Sequence, residues 1–186
     1  MRIAIDIDST LHHYWDQFSS VVLRRYGVEL PYEHQHSWAI SLLEPEQVRE
    51  AVMETHLVEH VSAAVPYPGA VATVNRWHEQ GHFIHITSHR AGESHAHTAE
   101  WLDEIGLRHD ELYCSYDKIT RCREIEIGLL IDDSPVNLER ALDAGILAAT
   151  IVHPWNRELV ASGAIVGAED WHGLAAALED TLRGNS

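Results

Sequence analysis

Short apolar runs alternate with segments of helical periodicity along most of this chain. Apolar, β-branched runs open at residue 3 and recur at 82–87, 111–114, 128–131 and 146–152. Apolar positions spaced three or four apart predict helices between these runs, at 70–80, 93–105, 118–125, 135–144 and 174–182. Strands that alternate with helices favour βαβ units and a parallel sheet covered on both faces. We therefore predict an α/β fold, a three-layer Rossmann-like parallel sheet.

One stretch early in the chain departs from this rhythm. Residues 12–65 contain no strand pattern, and their apolar spacing predicts helices at 14–26 and 45–61 joined by a polar loop. We therefore predict that a small helical unit is inserted after the first strand. The predicted division is a core of 1–11 and 66–186 with a helical cap of 12–65.

Polar side chains follow three of the predicted strands at the point where each strand ends. Asp6 and Asp8 close the first apolar run, Thr87 and Ser88 close the second, and Asp132 and Asp133 follow the run at 128–131. The carboxyl ends of parallel strands lie at one edge of the sheet, where ligands bind. We expect these groups to meet there, with Lys118 on an adjoining connection.

The chemistry of these groups indicates phosphoryl transfer with a metal ion. Residues two apart on a strand point the same way, so Asp6 and Asp8 share a face. Adjacent carboxylates repel, and a hard cation such as Mg²⁺ relieves the repulsion. Hydroxyls and an ammonium suit phosphate oxygens. Taken alone, Thr87-Ser88 is equally compatible with a helix cap, Asp132-Asp133 with a turn and Lys118 with a surface charge.

Composition narrows the possible partners. The chain has 13 Lys and Arg against 29 Asp and Glu, a formal net charge of −16. Binding to polymeric nucleic acid needs a basic face, so this class is excluded, whereas a small anionic substrate can bind where a metal reverses the local field. No apolar run approaches about 18 residues, and no signal peptide fits before the first strand. We expect a cytoplasmic protein without membrane contact.

The chain carries fifteen histidines, spread over several predicted elements. His56 and His60 lie four residues apart on a predicted helix, a spacing that can bind a metal. No glutamate follows His56, so the hydrolytic zinc motif is absent. We expect the histidines to be partly exposed surface residues.

Together the strand-end motifs resemble a known family. The run Asp6-Ile7-Asp8-Ser9-Thr10, then Thr87, Lys118 and Asp132-Asp133, resembles the four motifs of the haloacid dehalogenase (HAD) superfamily of phosphohydrolases. The run at 132–137 and the helical insertion are most similar to its 5'(3')-deoxyribonucleotidase branch. The resemblance covers roughly 1–11 and 66–155, and in this superfamily the insertion, called a cap, selects the substrate.

The resemblance implies a role for each motif residue. Asp6 is the expected nucleophile, forming an aspartyl-phosphate, and Asp8 the expected general acid and base. Thr87 is expected to hydrogen-bond a phosphoryl oxygen, and Lys118 to neutralise charge and steady Asp6. Further candidates for phosphate contact are Ser88 and Arg90, the latter equally compatible with a surface arginine. Asn137 is expected to brace its loop.

The resemblance also implies a Mg²⁺ site at this edge of the sheet. The expected ligands are the acid pair Asp6 and Asp8, the carbonyl of Ile7, and a carboxylate from Asp132 or Asp133. Families with a similar turn use the second acid, which favours Asp133 with Asp132 in support.

Aromatic residues in the insertion suggest a nucleotide substrate. Tyr14 follows six residues after Asp8, and Trp38 lies in a polar, irregular stretch, so both are candidates to stack on a base. The alternative, that these rings pack inside the insertion, is equally compatible with the sequence.

We therefore expect a Mg²⁺-dependent phosphomonoesterase acting on a small phosphorylated substrate, with a nucleoside monophosphate favoured. Two alternatives remain: a phosphatase of another small phosphometabolite, and a non-catalytic member that binds a phosphorylated ligand.

Overall fold

The computed structural model describes residues 1–37 and 40–184, and it contains one six-stranded sheet. The strands are β1 (Arg2–Asp6), β2 (Phe83–Ser88), β3 (Glu111–Cys114), β4 (Leu129–Ile131), β5 (Leu147–Ile151) and β6 (Val166–Ala168). Their order is β3-β2-β1-β4-β5-β6, and every neighbouring pair is parallel. The parallel sheet predicted from the alternating pattern is confirmed.

Register places the strand ends side by side. Asp6 pairs with Thr87 across β1 and β2, and Ile5 pairs with Ile131 across β1 and β4. Asp132 directly follows Ile131, so its backbone lies next to the end of β1. The topology alone thus brings the chemistry-bearing residues to the centre of one edge.

Nine α-helices are found in the described residues. They are α1 (Tyr14–Tyr26), α2 (Pro45–Thr55), α3 (Val58–Ser62), α4 (Ala70–Glu79), α5 (His95–Glu104), α6 (Lys118–Glu124), α7 (Pro135–Asp143), α8 (Arg157–Ala161) and α9 (Trp171–Arg183). Side chains of α4, α5 and α9 pack on one face of the sheet, and those of α6 and α7 pack on the other. This arrangement gives the three layers expected.

The helical insertion has a small core of its own. Trp15, Phe18 and Val22 of α1 are buried there, together with Ala51 of α2. Trp155, from the segment after β5, packs into the same cluster. The insertion is therefore joined to the sheet through side chains as well as through the chain itself.

The helix predicted over 45–61 is wrong in its middle, where the structure has two helices. α2 ends at Thr55, and Leu57 adopts extended backbone with ψ of 156° before α3 begins. Freed from the helix, the carbonyl of His56 accepts a hydrogen bond from the His97 ring at 2.9 Å, in α5. The apolar spacing continues across the break, which explains why the pattern did not reveal it.

The expected surface location is also wrong for several histidines. His12, His82, His85 and His153 are 5% exposed or less.

None of the helices in residues 1–37 and 40–184 is long and apolar enough to cross a membrane.

Candidate active site

A lysine lies between two carboxylates at the edge where the strands end. The ammonium of Lys118, the first residue of α6, donates to Asp6 Oδ1 at 2.5 Å and to Asp132 Oδ2 at 2.8 Å. All three side chains are buried. Burial alone would lower the pKa of Lys118, but the charges of Asp132 and Asp6 outweigh it and raise that pKa. The lysine therefore stays protonated and fixes the orientation of Asp6.

Asp132 and Asp133 are neighbours in sequence with different surroundings. Asp132 Oδ1 accepts the backbone N–H of Ser134 at 2.9 Å and the amide of Asn137 at 3.1 Å, while Oδ2 accepts the lysine. Asp133 Oδ2 accepts the indole N–H of Trp155 at 3.0 Å, and its Oδ1 takes no hydrogen bond from the described residues. Both oxygens of Asp132 are therefore occupied within the site, whereas one oxygen of Asp133 is open to a further partner.

The carboxylates of Asp6, Asp132 and Asp133 form an acidic triad. One oxygen from each lies within 4.8 Å of the others. Burial raises the pKa of Asp6 to about 7, opposed by Lys118 and assisted by Asp132 and Asp8. Burial and the charges of Asp132 and Asp6 likewise raise the pKa of Asp133 well above its ordinary value. One lysine cannot neutralise three buried acids, and an all-oxygen donor set fits a hard divalent cation.

Thr87 presents a hydroxyl without a partner. The residue is fully buried at the end of β2, beside Asp6 in register. Its Oγ1 has no hydrogen-bond partner among the described residues. Leaving a buried hydroxyl unsatisfied costs about 1–3 kcal/mol, so such a group points to a ligand that completes it. Ser88, also predicted to contact phosphate, lies next in the strand with its hydroxyl 3.5 Å from Asp8 Oδ2.

Asp8 faces cationic groups and is not part of the acidic triad. Arg90 contacts it through Nη2 at 2.6 Å and Nε at 3.3 Å, and the His12 ring lies 3.0 Å from Oδ1. Burial alone would raise the pKa of Asp8, but Arg90, His12 and His56 outweigh it and hold that pKa well below its usual value. Arg90 is 1% exposed, so it is buried beside Asp8 and is not a surface arginine.

The turn that follows Asp8 has a strained residue. Ser9 adopts a φ of +60°, in the left-handed region, which costs an L-residue roughly 1–2 kcal/mol. The Ile7 carbonyl accepts the backbone N–H groups of Thr10 at 3.2 Å and Leu11 at 2.8 Å. The Ile7 carbonyl oxygen thus already accepts two hydrogen bonds within the turn, and its role as a metal ligand stays a prediction.

Tyr14 lies in the core of the insertion. It is 4% exposed, its hydroxyl pairs with Thr55 Oγ1 at 2.7 Å, and its ring stacks on Phe18 with centroids 6.0 Å apart. This arrangement favours the packing alternative for Tyr14, and its role in stacking on a substrate stays a prediction. Trp38, the other predicted stacking residue, lies outside the described residues.

The sequence patterns missed the segment 153–156, which follows β5. Trp155 holds Asp133, and the His153 ring lies 2.6 Å from the Ser9 carbonyl oxygen. Asn156 donates to the Asp133 carbonyl at 3.1 Å. A tryptophan and an asparagine beside a proline carry no periodicity, so only the polar composition after a strand end hinted at a site there.

Known proteins resemble this chain in sequence and in fold. A family model described as "5' nucleotidase, deoxy (Pyrimidine), cytosolic type C protein" matches residues 1–173. The chain belongs to this family. A relative in Bacillus cereus, described provisionally as a nucleotidase, is 22% identical over 173 residues, covering 86% of this chain and 90% of that protein. As a member of this nucleotidase family, the protein is a phosphatase of the HAD superfamily, as the strand-end motifs predicted.

Solved structures share the fold of this family member. A HAD family hydrolase from Deinococcus radiodurans, with bound phosphate and sodium, matches with a TM-score of 0.67 and 15% identity, covering 97% of this chain and 96% of that one. A protein from Clostridium acetobutylicum, described as a "predicted phosphatase", matches with a TM-score of 0.71 and 12% identity, covering 96% of this chain and 98% of that one. At this identity the likeness concerns the fold.

Proposed function

We propose that this protein hydrolyses nucleoside monophosphates in a divalent-metal-dependent reaction that passes through an aspartyl-phosphate on Asp6. The observation that carries the proposal is the buried contact of 2.5 Å between Lys118 and Asp6, beside Asp133 and the unpartnered hydroxyl of Thr87. This arrangement supplies a fixed nucleophile, a charge to counter it and a donor for phosphate within one site.

In the first step, an Asp6 oxygen attacks phosphorus while the bond from phosphorus to the leaving oxygen breaks. Lys118 orients Asp6 and offsets the charge on the phosphoryl group, and Thr87 donates its hydroxyl to a phosphoryl oxygen. In the second step, water attacks the phosphorus and releases phosphate, which restores the Asp6 carboxylate.

Asp8 handles the protons in both steps. It gives a proton to the leaving oxygen and later takes one from the attacking water. Its pairing with Arg90 at 2.6 Å favours the carboxylate, so proton donation requires Arg90 to release Asp8. We propose that the substrate phosphate attracts the guanidinium, which makes Arg90 a phosphate contact as well as the partner of Asp8.

Mg²⁺ is the proposed cofactor. Asp6 and Asp133 would hold it through side-chain oxygens, with Asp132 in support. Bound there, the ion would offset negative charge on the phosphoryl group during transfer. The donor set supports the choice of ion because Mg²⁺ prefers carboxylate oxygens to nitrogen or sulfur ligands.

The nucleotide preference rests on the family description and on the Bacillus cereus relative. The family description also supports a cytoplasmic location. A different small phosphate ester is the competing substrate class, because packing of Tyr14 inside the insertion removes one predicted base contact.

A panel of phosphomonoesters tests the proposal. Deoxynucleoside and ribonucleoside 5'-monophosphates, phosphoglycolate, sugar phosphates and p-nitrophenyl phosphate would be compared with Mg²⁺ and with EDTA. We expect the highest kcat/KM for a nucleotide, complete loss with EDTA and recovery with Mg²⁺. Equal rates on all esters would remove the nucleotide preference, and full activity in metal-free protein would contradict the metal site.

A further inference from the structure

The segment 153–156 contacts three separate parts of the molecule. It reaches Asp133 in the loop after β4, called the metal loop below, Ser9 in the loop after β1, called the nucleophile loop below, and Tyr32 in the helical insertion. Its contacts are therefore arranged to relate the position of the insertion to the geometry of the metal loop.

The contact with the metal loop is double. The Trp155 indole donates to Asp133 Oδ2 at 3.0 Å, and Asn156 Nδ2 donates to the Asp133 carbonyl at 3.1 Å. Asn156 is itself anchored, because Nδ2 also reaches the Ile151 carbonyl at 3.0 Å and Oδ1 accepts the His153 N–H at 2.8 Å. One carboxylate oxygen of Asp133 is thereby held in place, and the other accepts no hydrogen bond from the described residues.

The contact with Ser9 in the nucleophile loop determines which nitrogen of the His153 ring carries the hydrogen. The Ser9 carbonyl, 2.6 Å from Nε2, can only accept, so Nε2 carries the hydrogen. Nδ1 of the neutral ring is then the acceptor for the Tyr32 hydroxyl, 2.6 Å away. The chain of donors runs from Tyr32 through His153 to Ser9, the residue held at a φ of +60°.

The two contacts are coupled through stacked rings. His153 and Trp155 lie face to face, with centroids 4.6 Å apart and an angle of 3° between their planes. Tyr32 meets Trp155 edge-on at 5.7 Å, and both His153 and Trp155 are buried. A shift of Tyr32 must therefore move the His153 ring and, with it, the indole that holds Asp133.

We propose that Tyr32, His153 and Trp155 are positioning residues that present Asp133 to the metal ion only when the helical insertion is docked on the sheet. The inference rests on the proposed metal-dependent function, but it concerns the affinity of the site for Mg²⁺, which can be measured without substrate. Partners that orient a metal ligand in this way typically change metal affinity roughly 10- to 100-fold when removed.

The test is a Mg²⁺ titration of metal-free protein by calorimetry, with thermal unfolding recorded alongside. Trp155→Phe keeps an aromatic ring but loses the donor to Asp133, and we expect Kd for Mg²⁺ to rise roughly 10- to 100-fold. Tyr32→Phe, a milder change in a half-buried residue, should raise Kd in the same direction by a smaller factor. In the double variant, Kd should equal that of Trp155→Phe, because the two residues act in series.

Matched controls come from equivalent bonds elsewhere in the fold. Trp101 of α5 donates its indole N–H to the Ala64 carbonyl at 2.9 Å, and Tyr26 of α1 donates its hydroxyl to Glu50 at 2.8 Å. Trp101→Phe and Tyr26→Phe remove these bonds away from Asp133, so we expect a lower Tm at most and an unchanged Kd for Mg²⁺.

Two results would overturn the inference. One is a wild-type Kd for Mg²⁺ in Trp155→Phe, and the other is an equal rise in Kd in the control variants. A wild-type protein that binds Mg²⁺ tightly but hydrolyses no phosphomonoester would contradict the proposed function and leave this inference standing.

Discussion

Asp6 and Asp8 leave the same strand two residues apart, yet their surroundings have opposite charge. Asp6 lies with Asp132 and Asp133 around a single lysine, which leaves an excess of negative charge. Asp8 lies against Arg90 and near two histidines, so positive charge and hydrogen-bond donors predominate around it. The comparison teaches that one side of the site is suited to a cation and a nucleophile, and the other to an anion and proton transfer.

Asp6→Asn should have the largest effect on activity and almost none on stability. The amide keeps the volume but lacks the attacking charge, so we expect turnover to be abolished. Removing one of three crowded acids also relieves repulsion, so Tm of the metal-free protein should hold or rise. Asp103→Asn, an exposed change in α5, is the matched control. Hydrolysis near the wild-type rate in Asp6→Asn would rule out the nucleophile role.

Asp8→Asn should reduce activity less but destabilise the fold more. Loss of a positioned acid–base group slows turnover roughly 10²- to 10⁴-fold. Arg90, 1% exposed, would lose its carboxylate, and breaking one side of a buried pair costs roughly 3–5 kcal/mol. Denaturant unfolding and steady-state rates measure the two effects separately.

A double variant sharpens this result. Adding Arg90→Met to Asp8→Asn removes the orphaned charge, so stability should recover while activity stays low. In both variants, the loss of Asp8 should slow hydrolysis of nucleotides more than hydrolysis of p-nitrophenyl phosphate, whose leaving group needs no proton. Equal losses on both substrates would contradict proton donation by Asp8.

The residues around Asp6 could be predicted from the sequence, because parallel strands and their order determine where strand ends meet. Asp6, Thr87, Lys118 and Asp132 could be placed at one edge without any knowledge of side-chain packing. The partners of Asp133 could not, because the bond from Trp155 spans 22 residues and apolar periodicity reports burial without naming a neighbour.

The insertion was less predictable for the same reason. Its helical pattern was evident, but the pattern did not distinguish a ring that packs, such as Tyr14, from one that meets a substrate. The break after Thr55 depends on contacts that the His56 carbonyl makes with α5, which the local sequence does not encode.

Tyr14→Phe tests the assignment of this ring to the insertion core. The variant loses one buried hydrogen bond to Thr55, so we expect a loss of about 0.5–1.5 kcal/mol in unfolding free energy. KM values for a nucleotide and for p-nitrophenyl phosphate should stay in the same ratio as in the wild type. A selective rise in KM for the nucleotide would instead indicate a base contact.

Stability should also fall in acid through three histidines that are buried or half-buried. Burial lowers the pKa values of His56, His89 and His153 from 6.5 to about 4. The unfolded chain therefore binds more protons between these values, and Tm should drop as the pH falls from 6.5 towards 4. Tm would be measured with excess Mg²⁺, because bound Mg²⁺ would keep the carboxylates of the acidic triad ionised.

The matched variants are His56→Gln and His34→Gln, the latter in an exposed turn. His56→Gln should flatten the pH dependence of Tm, and His34→Gln should not. An unchanged pH dependence in His56→Gln would contradict its burial as a neutral ring.

Trapping the covalent intermediate tests the central claim most directly. Asp8→Asn would be mixed with Mg²⁺ and p-nitrophenyl phosphate, quenched in acid within the first turnover, and digested for mass spectrometry. Because the leaving group departs unaided while the attack by water lacks its base, we expect one phosphoryl group to accumulate on the peptide carrying Asp6. Release of p-nitrophenol with no phosphoryl group on Asp6, in this variant and in wild type, would contradict the account.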